Sequence, residues 1–357
     1  MATEPPRPSS GEPSAGRPVQ TAALVVLANV AGVVALLLLL EGTVRVLRPD
    51  IGPAGTEAGL FLDSAFVDVR GRTTGLRPGA SGIANGERVA VDADGFHVYT
   101  GNASAPDSAS TWLWLGDSVT FGVGVPADST VAGRLAARQD TARILNAAVL
   151  GWGTPDYRRR LDAALAAGPA PARVTLLWCL NDADTGRPSP PGSVPLWRDW
   201  LVQAKTGLNA RSRLYRLAKD AALDRPARYF AYDRAFYDPL DAPAPPADST
   251  SISRALDDLG AIRDALAARG IPFEVVVAPY EPQLRPDGDP TPQEVLLPRL
   301  RALGIPTLDL LPAFRTAVGN PARLYLWSDG IHLSARGHAV AAEAIADWRR
   351  EPVTVAE

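Results

Sequence analysis

Two short clusters hold the residue types that acyl transfer requires. The first is Gly116-Asp117-Ser118, directly after the apolar run Trp112-Leu113-Trp114-Leu115. A glycine lets the chain turn abruptly, so the following serine can present both its hydroxyl and its own N–H at the turn. The second is Asp329-Gly330-Ile331-His332, near the C-terminus. A serine nucleophile needs a base within hydrogen-bond reach, and the base needs an acceptor that orients it. An Asp and a His three residues apart in one turn can meet locally, which makes Ser118, Asp329 and His332 candidate catalytic residues. Each cluster alone also reads as ordinary turn or helix-cap chemistry, and their joint occurrence is what carries the expectation.

Two further segments lie between them at expected strand ends. They are Asn146-Ala147-Ala148-Val149-Leu150-Gly151-Trp152-Gly153-Thr154 and Leu180-Asn181-Asp182. Acyl transfer passes through an oxyanion, which preorganised N–H donors stabilise. The Gly151 N–H and the Asn181 amide are suitable donors.

Strands alternating with helices must position these residues. Thr111–Leu115, Ala142–Ala148, Val174–Leu180, Phe273–Ala278 and Thr307–Leu310 read as strands, several apolar throughout as in a sheet covered on both faces. Between them fall a helix beginning at Ser129, another with Tyr157, Leu161 and Leu165 on one face, and the stripe Ile252, Leu256, Leu259, Ile262 and Leu266 closed by Gly270. Ser334 caps a last helix running to about Trp348. This alternation predicts a layered α/β domain with a parallel sheet. Residues 185–250 interrupt it, as a cap over the site or as a peripheral helix pair.

The four blocks, in this order, resemble the SGNH (GDSL) hydrolase family. The resemblance runs from about Thr111 to the C-terminus, broken by the 185–250 insertion. The lead-in, with Arg77-Pro78-Gly79 and Asp94-Gly95-Phe96, also looks like bacterial membrane-anchored members. It implies a three-layer α/β/α flavodoxin-like fold and ester hydrolysis or acyl transfer without metal or cofactor. It further implies Ser118 as nucleophile, Asp329 and His332 as acid and base, and an oxyanion hole built from Ser118, Gly151 and Asn181. The third block departs from the family's Gly-x-Asn-Asp by carrying Cys179 in place of the glycine. Other classes the residues leave open are an O-acyltransferase modifying a cell-envelope polysaccharide and a non-catalytic module that binds glycan or a partner protein.

The N-terminal region adds a location. Residues 1–20, rich in Pro, Ser and Gly, are expected to be a disordered tail. Residues 21–40 are almost wholly apolar and long enough to span a bilayer. No small-residue cleavage site follows, which favours an uncleaved anchor over a signal peptide. Residues 41–110 read as lead-in strands and loops, and 111–350 as the hydrolase domain. The expectation is a single-pass membrane protein with its catalytic domain outside the cytoplasm, acting on a small-molecule, lipid or glycan ester. Bulk properties exclude little more. A net charge of −3 over 357 residues gives no basic surface for nucleic acid. One cysteine and three histidines leave no material for a Cys-rich zinc site.

Overall fold

The computed structural model describes residues 16–52, 75–106, 108–138, 142–167, 170–183, 207–222, 224–237, 252–317 and 319–350. Residues 1–15 of the tail expected over 1–20, residues 53–74 of the lead-in, and residues 184–206 and 238–251 of the insertion lie outside them, while residues 16–20, expected in the tail, are helical.

The first described element is helix α1 (Gly16–Leu47), of 32 residues. Its segment Ala22–Leu47 is long and apolar enough to cross a membrane, and none of its most apolar window is buried in the protein. At 1.5 Å per residue the helix reaches about 48 Å, against a hydrocarbon core of about 30 Å. It extends past the apolar run expected to end at Leu40, because the charge at Glu41 is taken up by protein donors described below.

A two-stranded hairpin, β1 (Ser81–Ala84) and β2 (Glu87–Ala90), precedes the main sheet. That sheet contains β3 (Ser110–Gly116), β4 (Ala142–Asn146), β5 (Arg173–Trp178), β6 (Phe273–Val277) and β7 (Thr307–Asp309) in the order β4-β3-β5-β6-β7. Every pairing within it is parallel. All five residues of β6 are buried, as are the last five of β3 and of β5, so helices must cover both faces.

The strand order explains where the helices fall. The chain leaves β3 in one direction to reach β4, then crosses back and continues through β5, β6 and β7. Right-handed crossovers therefore put the helix between β3 and β4 on one face and the later ones on the other. Accordingly α3 (Val131–Ala136) packs against α10 (Ala335–Arg350), which also meets α9 (Leu311–Thr316). On the opposite side α4 (Thr154–Ala167) packs against α7 (Ile252–Ala267), and Arg263 of α7 donates to the Leu303 carbonyl just beyond α8 (Thr291–Ala302). The result is the expected three-layer flavodoxin-like fold. Ligands in such sheets bind beyond the strand ends where the order reverses, here between β3 and β5.

Some local expectations shift. Ser129 belongs to a 3-10 turn, and the side chain of Thr130 caps α3 by accepting from the Gly133 N–H at 3.1 Å. At the other end, Ser334 caps α10 by accepting from Gly337 N–H at 3.3 Å, as expected. The lead-in does more than precede the sheet. His97 bridges Val91 and Asn146, which covers the free edge of β4. The described part of the insertion holds α5 (Arg213–Ala222), followed by α6 (Arg225–Arg234).

Candidate active site

Gly116 ends β3 with φ of 153°, and a Cβ there would run into the side chain of Thr120 and stand 3.0 Å from the Leu177 carbonyl. The tight approach lets the chain enter the one-turn helix α2 (Ser118–Phe121), with Asp117 as its cap, accepting from Val119 N–H at 2.8 Å. Ser118 thereby sits at the mouth between β3 and β5.

Ser118 Oγ lies 2.8 Å from His332 Nε2, although the residues are 214 positions apart. His332 Nδ1 lies 2.9 Å from Asp329 Oδ1. That same oxygen accepts the N–H of His332 at 2.7 Å and of Ile331 at 3.1 Å. With the Nδ1 proton directed to Asp329, Nε2 is left as the acceptor for the Ser118 hydroxyl. Burial pulls the His332 pKa down, but the Asp329 charge and hydrogen bond outweigh it, with Asp117 helping, so the net shift is upward. Burial pushes Asp329 up, and His332 together with the two backbone N–H groups overcomes it, leaving its carboxyl below the usual value. Both side chains keep about a fifth of their surface exposed, 23% for His332 and 21% for Asp329, so the site is reachable from solvent.

The other two blocks flank Ser118 because β4 and β5 are the neighbours of β3. Gly151, with a left-handed φ of 76°, lies in the loop after β4. Asn181 lies in the 3-10 turn after β5, and its Nδ2 donates to Asp117 Oδ2 at 3.1 Å. That bond engages one of two amide protons and leaves the other available. The Asn181 Oδ1 is buried with no hydrogen-bond partner among the described residues.

Three contacts close a ring through these loops. Asp117 joins the first block to Asn181 in the third. Asp182 accepts Tyr157 Oη at 2.7 Å, and that hydroxyl also lies 3.3 Å from the Trp152 carbonyl of the second block. Val149 N–H returns to the Gly116 carbonyl at 3.2 Å. The substitution of Cys179 for glycine fits this frame. Its backbone φ is not positive, its N–H donates to Asp182 Oδ2 at 2.9 Å, and its side chain is buried. Burial raises the thiol pKa well above normal, consistent with a packing residue.

Sequence reasoning missed several contributors. Asp117 is fully buried and ties Ser118 to Asn181. Asp182 orders the Asn181 turn. His97 stacks on Phe121 at 4.7 Å and lies 3.2 Å from Tyr99 Oη, whose hydroxyl meets Asn146. Burial lowers its pKa to about 4, so it stays neutral at pH 7 and supports the floor beneath α2. His338 accepts from Val131 N–H at 3.2 Å, a packing and capping role. Trp152 is buried, and Trp327 lies under the Arg48 guanidinium. No group of three or more potential metal ligands occurs among the described residues.

Residues 114–340 match the GDSL-like Lipase/Acylhydrolase family. The chain belongs to that family. It is an ester-hydrolysing enzyme, and the matched segment spans all four blocks. Similar solved structures include a lipolytic G-D-S-L family protein from Veillonella parvula, at 13% identity over 68% of this chain and 100% of that one, with a TM-score of 0.41. Another is the acetylxylan esterase Axe2 from Geobacillus stearothermophilus, at 14% identity over 69% of this chain and 98% of that one, also with a TM-score of 0.41. No curated protein sequence matches the chain.

Proposed function

We propose that this GDSL-family enzyme cleaves esters at the cell envelope through an acyl-enzyme on Ser118. The observation that carries the reading is the unbroken relay from Ser118 Oγ to His332 Nε2 at 2.8 Å and from His332 Nδ1 to Asp329 Oδ1 at 2.9 Å. His332 takes the Ser118 proton as the hydroxyl oxygen attacks the ester carbonyl. The Asp329 charge stabilises the imidazolium that forms. Negative charge gathers on the former carbonyl oxygen, where the N–H groups of Ser118 and Gly151 and the free amide proton of Asn181 receive it. His332 then protonates the leaving alkoxide. In the second half it removes a proton from water as that water attacks the acyl-enzyme, then returns the proton to Ser118 Oγ as the acyl–oxygen bond breaks and the acid leaves.

The way α1 is attached supports a retained anchor. Glu41 accepts from Ser212 Oγ at 2.9 Å and from the N–H groups of Arg213 and Leu214 at 3.0 and 2.9 Å. Removing α1 as a leader would strip these partners from α5, which favours a retained anchor. In our reading the domain stands outside the cytoplasm and its substrate is an envelope ester. A phosphatase reporter fused to the C-terminus would be active in that topology and silent in the reverse one.

The test of chemistry uses the full chain in detergent with 4-nitrophenyl acetate and a fluorophosphonate probe. Wild type should turn over and label, and Ser118→Ala should do neither. A folded wild type that is no more active than Ser118→Ala and resists labelling would refute the mechanism.

A further inference from the structure

An oxyanion donor is effective only where it is held in place before charge develops. Asn181 sits in a four-residue 3-10 turn, Leu180–Ala183, and such turns bond their own backbone in poor geometry. Asp182 and Asp117 grip this turn from within the motif blocks. A third grip comes from the insertion. Tyr237 belongs to the 3-10 turn Ala235–Tyr237 that follows α6, and its hydroxyl donates to the Leu180 carbonyl at 2.8 Å from 57 positions away. The same oxygen accepts from Nε1 of Trp178, the last residue of β5, at 2.9 Å. An indole can only donate, so the single phenol proton is left for the carbonyl and the direction of both bonds is fixed.

The bridge is dry, because Trp178, Leu180 and Tyr237 are all fully buried. Burial also pushes the Tyr237 pKa well above normal, so its hydroxyl keeps the proton it donates. The segment that brings Tyr237 in is itself tied to the sheet domain. Tyr280 Oη donates to Asp233 of α6 at 2.6 Å, and Phe230 of α6 packs near the Tyr280 ring with centroids 6.3 Å apart. The Leu180 carbonyl and the Asn181 N–H share one planar peptide, so a bond that aims the carbonyl also aims the plane from which Asn181 departs. Without the Tyr237 hydroxyl the Trp178 N–H loses its acceptor where no water can replace it, and the 180–181 peptide is free to tilt.

We propose that Tyr237 is a positioning residue which the insertion contributes to the oxyanion hole, its hydroxyl fixing the Leu180–Asn181 peptide so that the Asn181 amide meets the developing charge. This rests on the reading that Asn181 is an oxyanion donor for attack by Ser118. Tyr237 touches no reacting atom and works through Asn181. Its loss therefore lowers kcat and leaves KM in place. The acid limb of the pH profile also stays where it is, because Asp329 and His332 lie on another loop.

The experiment compares full-length wild type, Tyr237→Phe, Asn181→Ala, Tyr237→Phe/Asn181→Ala and Ser118→Ala in detergent, by kcat, KM and pH profile on 4-nitrophenyl acetate, with a thermal melt for each. Tyr237→Phe keeps the ring and should lower kcat about tenfold to about 10²-fold, with KM within about twofold and the acid limb unmoved. Added to Asn181→Ala, the same substitution should change kcat by less than about twofold, since the group it positions is already gone. Wild-type kcat in folded Tyr237→Phe, beside a loss in Asn181→Ala, would overturn this proposal alone. So would an undiminished further loss in the double variant, which marks support of the fold and not of Asn181. Should Tyr237→Phe melt below the assay temperature, the comparison moves to a lower one, and a variant unfolded even there overturns the proposal as well. Full kcat in Asn181→Ala or in Ser118→Ala would instead sink the mechanism on which the proposal rests.

Discussion

Asp329→Asn separates charge from geometry in the acid–base loop. In many relays the amide substitution fails because the NH₂ group turns toward the imidazole and forces the wrong tautomer. Here one oxygen, Oδ1, accepts three donors: His332 Nδ1–H, His332 N–H and Ile331 N–H. Two of them are backbone groups that an NH₂ cannot face. The introduced amide is therefore held with its oxygen toward all three, and the tautomer is preserved. What disappears is the negative charge beside the imidazolium. At roughly 4 Å that attraction is worth about 1 kcal/mol in water and about 4 kcal/mol at an effective dielectric of 20. The expected loss in kcat is thus about 5-fold to about 10³-fold. Asp329→Ala removes the charge and all three bonds, and should cost about 10⁴-fold. The pH profile gives a second readout. The Asp329 charge helps raise the His332 pKa, so removing it lowers that pKa. Because the proposed mechanism needs neutral His332, the acid limb of kcat/KM should move to lower pH in Asp329→Asn. Kinetics on 4-nitrophenyl acetate, with a thermal melt for each variant, decide the matter. If folded Asp329→Asn is as inactive as Asp329→Ala, or if its acid limb does not move, the backbone donors do not fix the amide and the reasoning is wrong.

Asn181→Ala removes one proposed oxyanion donor and should reduce kcat by about 10²- to 10³-fold with little change in KM, measured by steady-state kinetics. Gly330→Ala drives a Cβ toward Pro226 at a residue with φ of 77°, and should destabilise the protein by about 1–3 kcal/mol, seen as a lower denaturation midpoint.

Strands β3, β5 and β6 were legible in the sequence because burial on both faces removes the polar half of the usual alternation and leaves continuous apolar runs. Ser118, Asp329 and His332 could be picked out as candidates because each motif is local: the turn at Gly116, and the three-residue spacing that lets Asp329 reach His332. Less was visible where partners are distant in the chain. Asp117 and Asn181 are 64 positions apart, and Glu41 and Arg213 are 172 apart. The end of α1 shows the difficulty in physical terms. A carboxylate after Leu40 reads as the limit of an apolar helix, yet the helix continues to Leu47 because the start of α5 supplies Glu41 with three hydrogen bonds. No periodicity within α1 contains that information. The same holds for His97, whose partners Tyr99 and Phe121 are near in sequence but meet it only once the lead-in folds along the edge of β4.

The departure at Cys179 shows how much of the site depends on its frame. A glycine before Leu180-Asn181-Asp182 would matter if the turn needed a conformation closed to other residues, but the backbone φ at Cys179 is not positive. The turn is held instead by Asp182, which accepts both the Cys179 N–H and the Tyr157 hydroxyl. Tyr157 reaches the Trp152 carbonyl, Val149 reaches the Gly116 carbonyl, and Asp117 reaches Asn181, so each proposed donor loop is fixed by the other two. Donors fixed in this way need no reorganisation when charge develops on the substrate, which is the condition under which such donors are most effective. A cysteine can therefore replace the glycine without disturbing Asn181, whereas loss of Asp182 would leave the Tyr157 hydroxyl and the Cys179 N–H without their shared acceptor and open the ring at its third block.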